Sequence, residues 1–297
     1  MMKTKPIMLA TWSFGQPAIA AAWDRLIAGG HSIDAVEAAC RQAEADVENR
    51  TVGVAGYPDR DGNISLDASI MLSPAKSGAV CAVTTVPHPI TLARRVMEAT
   101  PHKMLAGAGA DQFAVEQGIE TGPLMTEETH RQWIKWKQTQ TEPVRRPVLN
   151  IEESHDTIGV LGLDGNGVLA GGCTTSGWAY KLPGRVGDSP TVGHGMYVLP
   201  GVGCCVCTGH GELVMGICGS FVAVETLHRG GKPIDAVQEV LGRLKSNYDL
   251  SDQDQIGVIV LDAAGEFCTG SLRPGYQTAV RTAQRDELVA PEVVMLH

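Results

Sequence analysis

The chain predicts an α/β fold in which two helical layers cover a pair of β-sheets, a four-layer αββα sandwich. A helix pair recurs in the two halves of the chain, short β runs separate the copies, and the composition can fill a large core. With 297 residues, 43% hydrophobic and 19% charged, the sequence suits one globular domain over 1–297.

The repeat is explicit. Ala22, Leu26, Gly29-Gly30 and Ile33-Asp34-Ala35-Val36 return 201 residues later as Ala223, Leu227, Gly230-Gly231 and Ile234-Asp235-Ala236-Val237. Each copy reads as two helices joined at a glycine pair, because glycine admits the positive φ that ends a helix. The first helix is expected to begin near Pro17, and Ser32 to cap the second. In the later copy Pro233 suits the first helical position, and Val237, Val240, Leu241 and Leu244 keep helical spacing. Strands are expected over 63–71, 78–86, 158–163, 168–174, 202–207 and 256–261, with Asp164-Gly165-Asn166-Gly167 as a hairpin turn. Residues 138–154, polar and interrupted by prolines, read as a flexible linker.

A formal net charge of −9 argues against a nucleic-acid partner, since phosphate binding needs basic patches. The apolar run 7–10 is too short for an export signal or a membrane span, so a cytoplasmic location with no membrane partner is expected. The eight cysteines lie mostly among small apolar residues and read as reduced core thiols. Cys204, Cys205 and Cys207, near His210, raise the possibility of a metal site. In a strand, however, Cys205 and Cys207 share a face that Cys204 does not, and a second cluster of zinc spacing is missing. The expectation is a packed strand, with no metal and no cofactor.

Chemistry concentrates in His155-Asp156-Thr157-Ile158-Gly159, in GRVGDSP at 184–190 and in Thr208-Gly209. A threonine hydroxyl is a poor nucleophile near neutrality and needs an adjacent base. If the Asp156–Thr157 bond is cleaved, the new α-amine of Thr157 supplies one, with a pKa of about 7.7–8.0 suited to the work.

These segments, with ATWSFG (10–15), GGHSIDAVEAAC (29–40), YPDRDGNISLDASIM (57–71) and TPHKMLAGAGA (100–110), closely resemble the glycosylasparaginases of the N-terminal nucleophile hydrolase superfamily. The likeness runs over nearly the whole chain. It implies the αββα sandwich of that superfamily, self-cleaved into 1–156 and 157–297, with Asp156 assisting attack by Thr157 on its own carbonyl. The mature enzyme would cleave the side-chain amide of an N-glycosylated asparagine, a small-molecule substrate, through a β-aspartyl ester on Thr157. The resemblance assigns the oxyanion hole to the Thr208 hydroxyl and the Gly209 N–H, and places Thr175 near the Thr157 amine. Arg185 would take the substrate α-carboxylate, Asp188 its α-ammonium, and Trp12 and Thr51 would line the pocket. Ala55 stands where the family often has glycine. The resemblance further implies a homodimer of cleaved αβ units. Two alternatives remain: the related plant-type asparaginases and isoaspartyl peptidases, and a non-enzymatic, thiol-rich metal-binding protein.

Overall fold

The computed structural model describes residues 4–139 and 157–296. The first stretch contains β1 (Ile7–Thr11), α1 (Gly15–Ile27), α2 (Ser32–Ala45), β2 (Leu66–Ser73), β3 (Lys76–Val83), α3 (Pro89–Ala99), β4 (Met104–Ala106), α4 (Gly107–Glu116) and α5 (Glu127–Thr139). The second begins with β5 (Ile158–Leu163), β6 (Leu169–Thr175), β7 (Met196–Leu199), β8 (Gly203–Gly209), α6 (Gly211–Ile217), α7 (Gly219–His228) and α8 (Pro233–Asn247). It closes with β9 (Ile256–Asp262), β10 (Phe267–Ser271), β11 (Thr278–Arg281), β12 (Asp286–Val289) and β13 (Val293–Val294). Among the described residues no helix is long and apolar enough to cross a membrane.

The strands form two sheets, ordered β12-β11-β1-β5-β6-β2-β3-β4 and β13-β10-β9-β8-β7. Three apolar clusters hold the elements together. On one face of the large sheet, Met8, Ala10, Val160 and Ala170 pack with Ile19, Trp23, Val36 and Ile90 of α1–α3. The opposite face carries Leu9, Leu161, Leu163 and Cys173 against Val198, Cys204, Val206 and Ile259 of the small sheet. Beyond that sheet, Cys205, Cys207, Val258 and Val260 meet Val214, Val224, Val237 and Leu241 of α6–α8. Cys204 thus faces one core and Cys205 and Cys207 the other, as strand alternation requires. Strands this poor in bulk allow close approach: a Cβ on Gly159 would lie 2.8 Å from Val206, and one on Gly172 2.8 Å from Val36.

Both repeated helix pairs form, and Gly29 (φ +88°) and Gly230 (φ +93°) end their first helices in the left-handed region. Several expectations shift. The first helix starts at Gly15 rather than near Pro17, and most strands move by one to three residues. Ser32 does not cap α2: His31 occupies the cap position, and the Ser32 N–H donates to Asp164 Oδ2 at 3.2 Å, a cap delivered by the hairpin turn. Asp164 also orders that turn, accepting from Asn166 N and Val168 N through Oδ1. Cys218 is exposed, at φ +52° between α6 and α7, whereas the other seven cysteines are buried. Gln138 and Thr139 belong to α5, and residues 140–156, which include the rest of the expected linker and Asp156, lie outside the described residues.

Candidate active site

Thr157 immediately precedes β5 and is 4% exposed. Two neighbours reach it for identifiable reasons. β1 pairs with β5, Ala10 opposite Val160, so Thr11 arrives beside the start of β5. β8 crosses from the other sheet with Val206 packed on Gly159, so Thr208 comes level with Thr157. The Thr157 carbonyl oxygen accepts from Thr11 Oγ1 at 2.8 Å and from Thr208 Oγ1 at 3.1 Å. Thr11 Oγ1 in turn accepts from Gly159 N, and Thr208 Oγ1 from Trp12 Nε1, both at 2.9 Å. Trp12 makes that bond from a left-handed backbone (φ +63°), a conformation costing about 1–3 kcal/mol for a bulky residue. Thr157 Oγ1 itself lies 3.1 Å from Ser189 Oγ.

Ser189 belongs to the loop that carries the charged groups. Ser69 of β2 donates to the Ser189 carbonyl at 2.6 Å and secures the loop to the large sheet. Asp188 is buried, its Oδ2 has no hydrogen-bond partner among the described residues, and Gly211 packs so near that a Cβ there would sit 2.6 Å from Oδ1. Burial penalises the charged form and, despite the nearby Arg185 guanidinium, the carboxyl is pushed up to about 7. Arg185 donates Nε and Nη2 to the two oxygens of Glu212, at 2.9 and 2.7 Å, and its Cζ lies 4.6 Å from the centre of the Trp178 ring. Partial burial works against ionised Glu212, but Arg185 overrides it and holds that carboxyl below its ordinary range.

Lys181 and Asp67, two further buried ionisable groups, influence Arg185 electrostatically. Lys181 is buried and its Nζ donates to the carbonyls of Ser65 and Ser176, at 3.1 and 2.8 Å. Burial lowers its pKa, and the Asp67 carboxylate partly offsets the shift. Asp67 is fully buried, accepts from Ala82 N at 2.8 Å and leaves Oδ2 without a partner among the described residues; burial raises its pKa against the pull of Lys181.

The residues singled out from sequence fall around this centre in distinct ways. Thr175 ends β6, one register step beyond the Ile158–Thr174 pair and hence level with Thr157. Its hydroxyl accepts from Gly177 N at 2.9 Å and donates to the Thr51 carbonyl at 3.3 Å. Thr51 is buried, and its hydroxyl donates to Asn49 Oδ1 at 3.0 Å, so its backbone braces Thr175 while its side chain serves its own turn. Gly209 adopts φ +101°, and a Cβ there would fall 2.1 Å from the Gln255 carbonyl, which makes glycine the residue this corner accepts. The Thr208 hydroxyl differs from the expectation in one respect: its proton is directed to the Thr157 carbonyl, so service in an oxyanion hole requires it to turn. Arg185 differs likewise, because Glu212 already occupies one edge of its guanidinium. Ala55 has φ +67°, the backbone that glycine adopts more readily.

Sequence reasoning missed Thr11, Glu212, Trp178, Lys181 and Asp67. Thr11 and Asp67 lie within the recognised segments 10–15 and 57–71, but nothing in their spacing states which carbonyl or cation they meet. Among the described residues no three His, Cys, Asp or Glu side chains converge as a metal site would require.

A buried threonine hydroxyl at a strand start, 3.1 Å from the Ser189 that adjoins the buried Asp188, has the elements of a hydrolase-like site. The chain belongs to the asparaginase family, whose model matches residues 4–290. It is 42% identical over 292 residues to an N(4)-(β-N-acetylglucosaminyl)-L-asparaginase of Elizabethkingia miricola, covering 97% of this chain and 84% of that protein. The Rattus norvegicus protein of the same name is 34% identical over 270 residues, 82% of this chain and 78% of its own length. A probable isoaspartyl peptidase/L-asparaginase of Arabidopsis thaliana is 31% identical over 325 residues, covering 95% of this chain and 89% of that one.

Proposed function

We propose that the chain is a self-processing amidohydrolase that cleaves the side-chain amide of N4-(β-N-acetylglucosaminyl)-L-asparagine to aspartate and a glycosylamine. The observation that carries this reading is the pair of open recognition groups beside Thr157. Asp188 Oδ2 has no partner, and Arg185 Nη1 makes no hydrogen bond among the described residues. One acceptor and one cationic donor suit the α-ammonium and α-carboxylate of an asparagine moiety. A nearby ammonium favours ionised Asp188, so near pH 7 substrate binding displaces its proton to solvent.

In this reading the fold is the four-layer αββα sandwich of the N-terminal nucleophile hydrolases. The Asp156–Thr157 bond is cleaved by attack of Thr157 Oγ, giving fragments 1–156 and 157–297. Their continued association is supported by the large sheet, where β1 of the first lies between β11 and β5 of the second. The freed α-amine then takes the Thr157 Oγ proton as the oxygen attacks the amide carbon. Thr208 and the Gly209 N–H stabilise the oxyanion, each donor contributing about 10²–10³ in rate. The amine returns its proton to the departing glycosylamine, and water hydrolyses the β-aspartyl ester. Thr175 holds the amine, and Trp12 and Thr51 bound the pocket. The cleaved units pair as a homodimer, and the eight unpaired thiols support a reducing, cytoplasmic setting.

The similarity to the Arabidopsis thaliana protein favours one second reading, hydrolysis of asparagine or β-aspartyl dipeptides at the same site. Intact mass with N-terminal sequencing is the first test: fragments of 156 and 141 residues, the second beginning at Thr157, are expected. Turnover of glycosyl-asparagine, asparagine and a β-aspartyl dipeptide is then compared. A purified chain that stays whole and hydrolyses none of them overturns the proposal.

A further inference from the structure

The open recognition pair raises a physical difficulty. Once Asp188 ionises it and Arg185 carry opposite charges, and both pack against Gly211, where a Cβ would lie 2.6 Å from Asp188 Oδ1 and 3.4 Å from Arg185 Nη2. Left to themselves they would neutralise each other, and neither would remain to bind substrate. In the structure they do not pair. Glu212, at the second position of α6, accepts from Arg185 Nε and Nη2 and fixes the guanidinium side-on. The Trp178 ring lies near the guanidinium, 4.6 Å from Cζ, and two glycines leave room around its free end. A Cβ on Gly177 or Gly187 would lie 3.2 or 3.1 Å from Nη1. His210, tied to Asp254 at 2.7 Å through Nδ1, has its Nε2 3.9 Å from Glu212 Oε2.

The geometry points to Glu212 as a positioning residue: it occupies the Nε–Nη2 edge of Arg185, keeps that arginine off Asp188, and presents Nη1 to the substrate α-carboxylate. This rests on the reading that Arg185 receives that carboxylate. Glu212 touches neither the reacting atoms nor the substrate. Its effect is exerted through the aim of one guanidinium and the availability of one carboxylate oxygen, and both act on ground-state binding more than on the bond-breaking step. Losing the aim of one charge-assisted hydrogen bond costs on the order of ten- to hundredfold in affinity.

The test uses the mature, full-length protein with Glu212→Gln, which keeps the side chain's shape and removes its charge. Calorimetry gives Kd for L-aspartate, which carries both recognition groups, and kinetics give KM and kcat for glycosyl-asparagine. Expected are rises of about ten- to hundredfold in Kd and KM with kcat within about threefold of wild type. In an Arg185→Lys background the same change is expected to add less than about twofold, because the edge it positions is gone. Glu212→Asp, one methylene shorter, gives an intermediate Kd and serves as the reading if Glu212→Gln does not fold. Kd within twofold of wild type, tighter binding, or an equal additional loss in the Arg185→Lys background overturns the role. If wild type binds L-aspartate but does not hydrolyse glycosyl-asparagine, the proposed substrate fails while the Kd arm still decides on Glu212. If wild type does not bind L-aspartate, both fail.

Discussion

The two halves of the site differ in how fully their polar groups are satisfied. Around Thr157 each oxygen has a protein partner: Thr11 and Thr208 on its carbonyl, Ser189 beside its hydroxyl, and the Trp12 indole on Thr208. Around Asp188, 4% exposed and one residue from Ser189, a buried carboxylate oxygen has none among the described residues, and Asp67 nearby repeats the pattern. Leaving a buried polar group unsatisfied costs about 1–3 kcal/mol, and more for a charged one. The contrast teaches a division of labour. The oxygens of Thr157 are held by protein partners, while the Arg185–Asp188 side keeps a buried carboxylate oxygen open, which in the proposed reaction is where a zwitterionic substrate binds.

The strongest way to break the comparison is to remove the Thr157 hydroxyl. Thr157→Ala is expected to abolish chain cleavage and to lower hydrolysis by more than about 10⁴-fold, read by intact mass and turnover. Full hydrolysis by that variant would remove Thr157 from the mechanism. Next is Asp188→Asn. The folded-state pKa of about 7 lies above the roughly 3.9 of an unfolded aspartate, so the native state binds the proton more tightly. The resulting stabilisation is full below about pH 4 and is lost as pH rises through 7. Asp188→Asn cannot ionise and should flatten this window, gaining up to about 4 kcal/mol over ligand-free wild type at pH 8 in urea titrations, while substrate affinity falls at least about tenfold. An unchanged slope of stability against pH would show that Asp188 titrates normally.

Smaller effects sharpen the other half. Trp12→Phe removes the indole donor from Thr208 and should cost about 1–1.5 kcal/mol, a roughly tenfold fall in kcat with KM little changed. A change confined to KM would place Trp12 in substrate contact alone. Ser189→Ala removes only the hydroxyl beside Thr157 Oγ1, and a kcat loss of about three- to tenfold is expected from steady-state kinetics. A loss like that of Thr157→Ala would make Ser189 part of the proton path instead.

Much of the fold was legible because its signals are local. The repeated glycine pairs, Pro233 and the Asp164–Gly167 turn act through backbone preferences that neighbours in sequence suffice to state. The errors arose where a distant partner took over a local task. Ser32 looked like a cap, yet Asp164 does that work from a hairpin 132 residues away. Arg185 and Asp188 were visible as residues within a recognised motif. Glu212 is only four residues beyond Thr208 and still went unread, since spacing along the chain does not reveal which cation a carboxylate will meet.

By itself the sequence determined the α/β class, the helix repeat, the alternating cysteine faces and the family to which the chain belongs, because periodicity, turn chemistry and ordered motifs are properties of the chain alone. Only the tertiary structure decided that Val206 packs on Gly159 and brings Thr208 level with Thr157, that Thr11 and Trp12 complete that hydroxyl network, and that Glu212 rather than Asp188 holds Arg185. Those outcomes depend on distances between segments far apart in sequence, set by close packing of two sheets and by the cost of burying a charge without a partner.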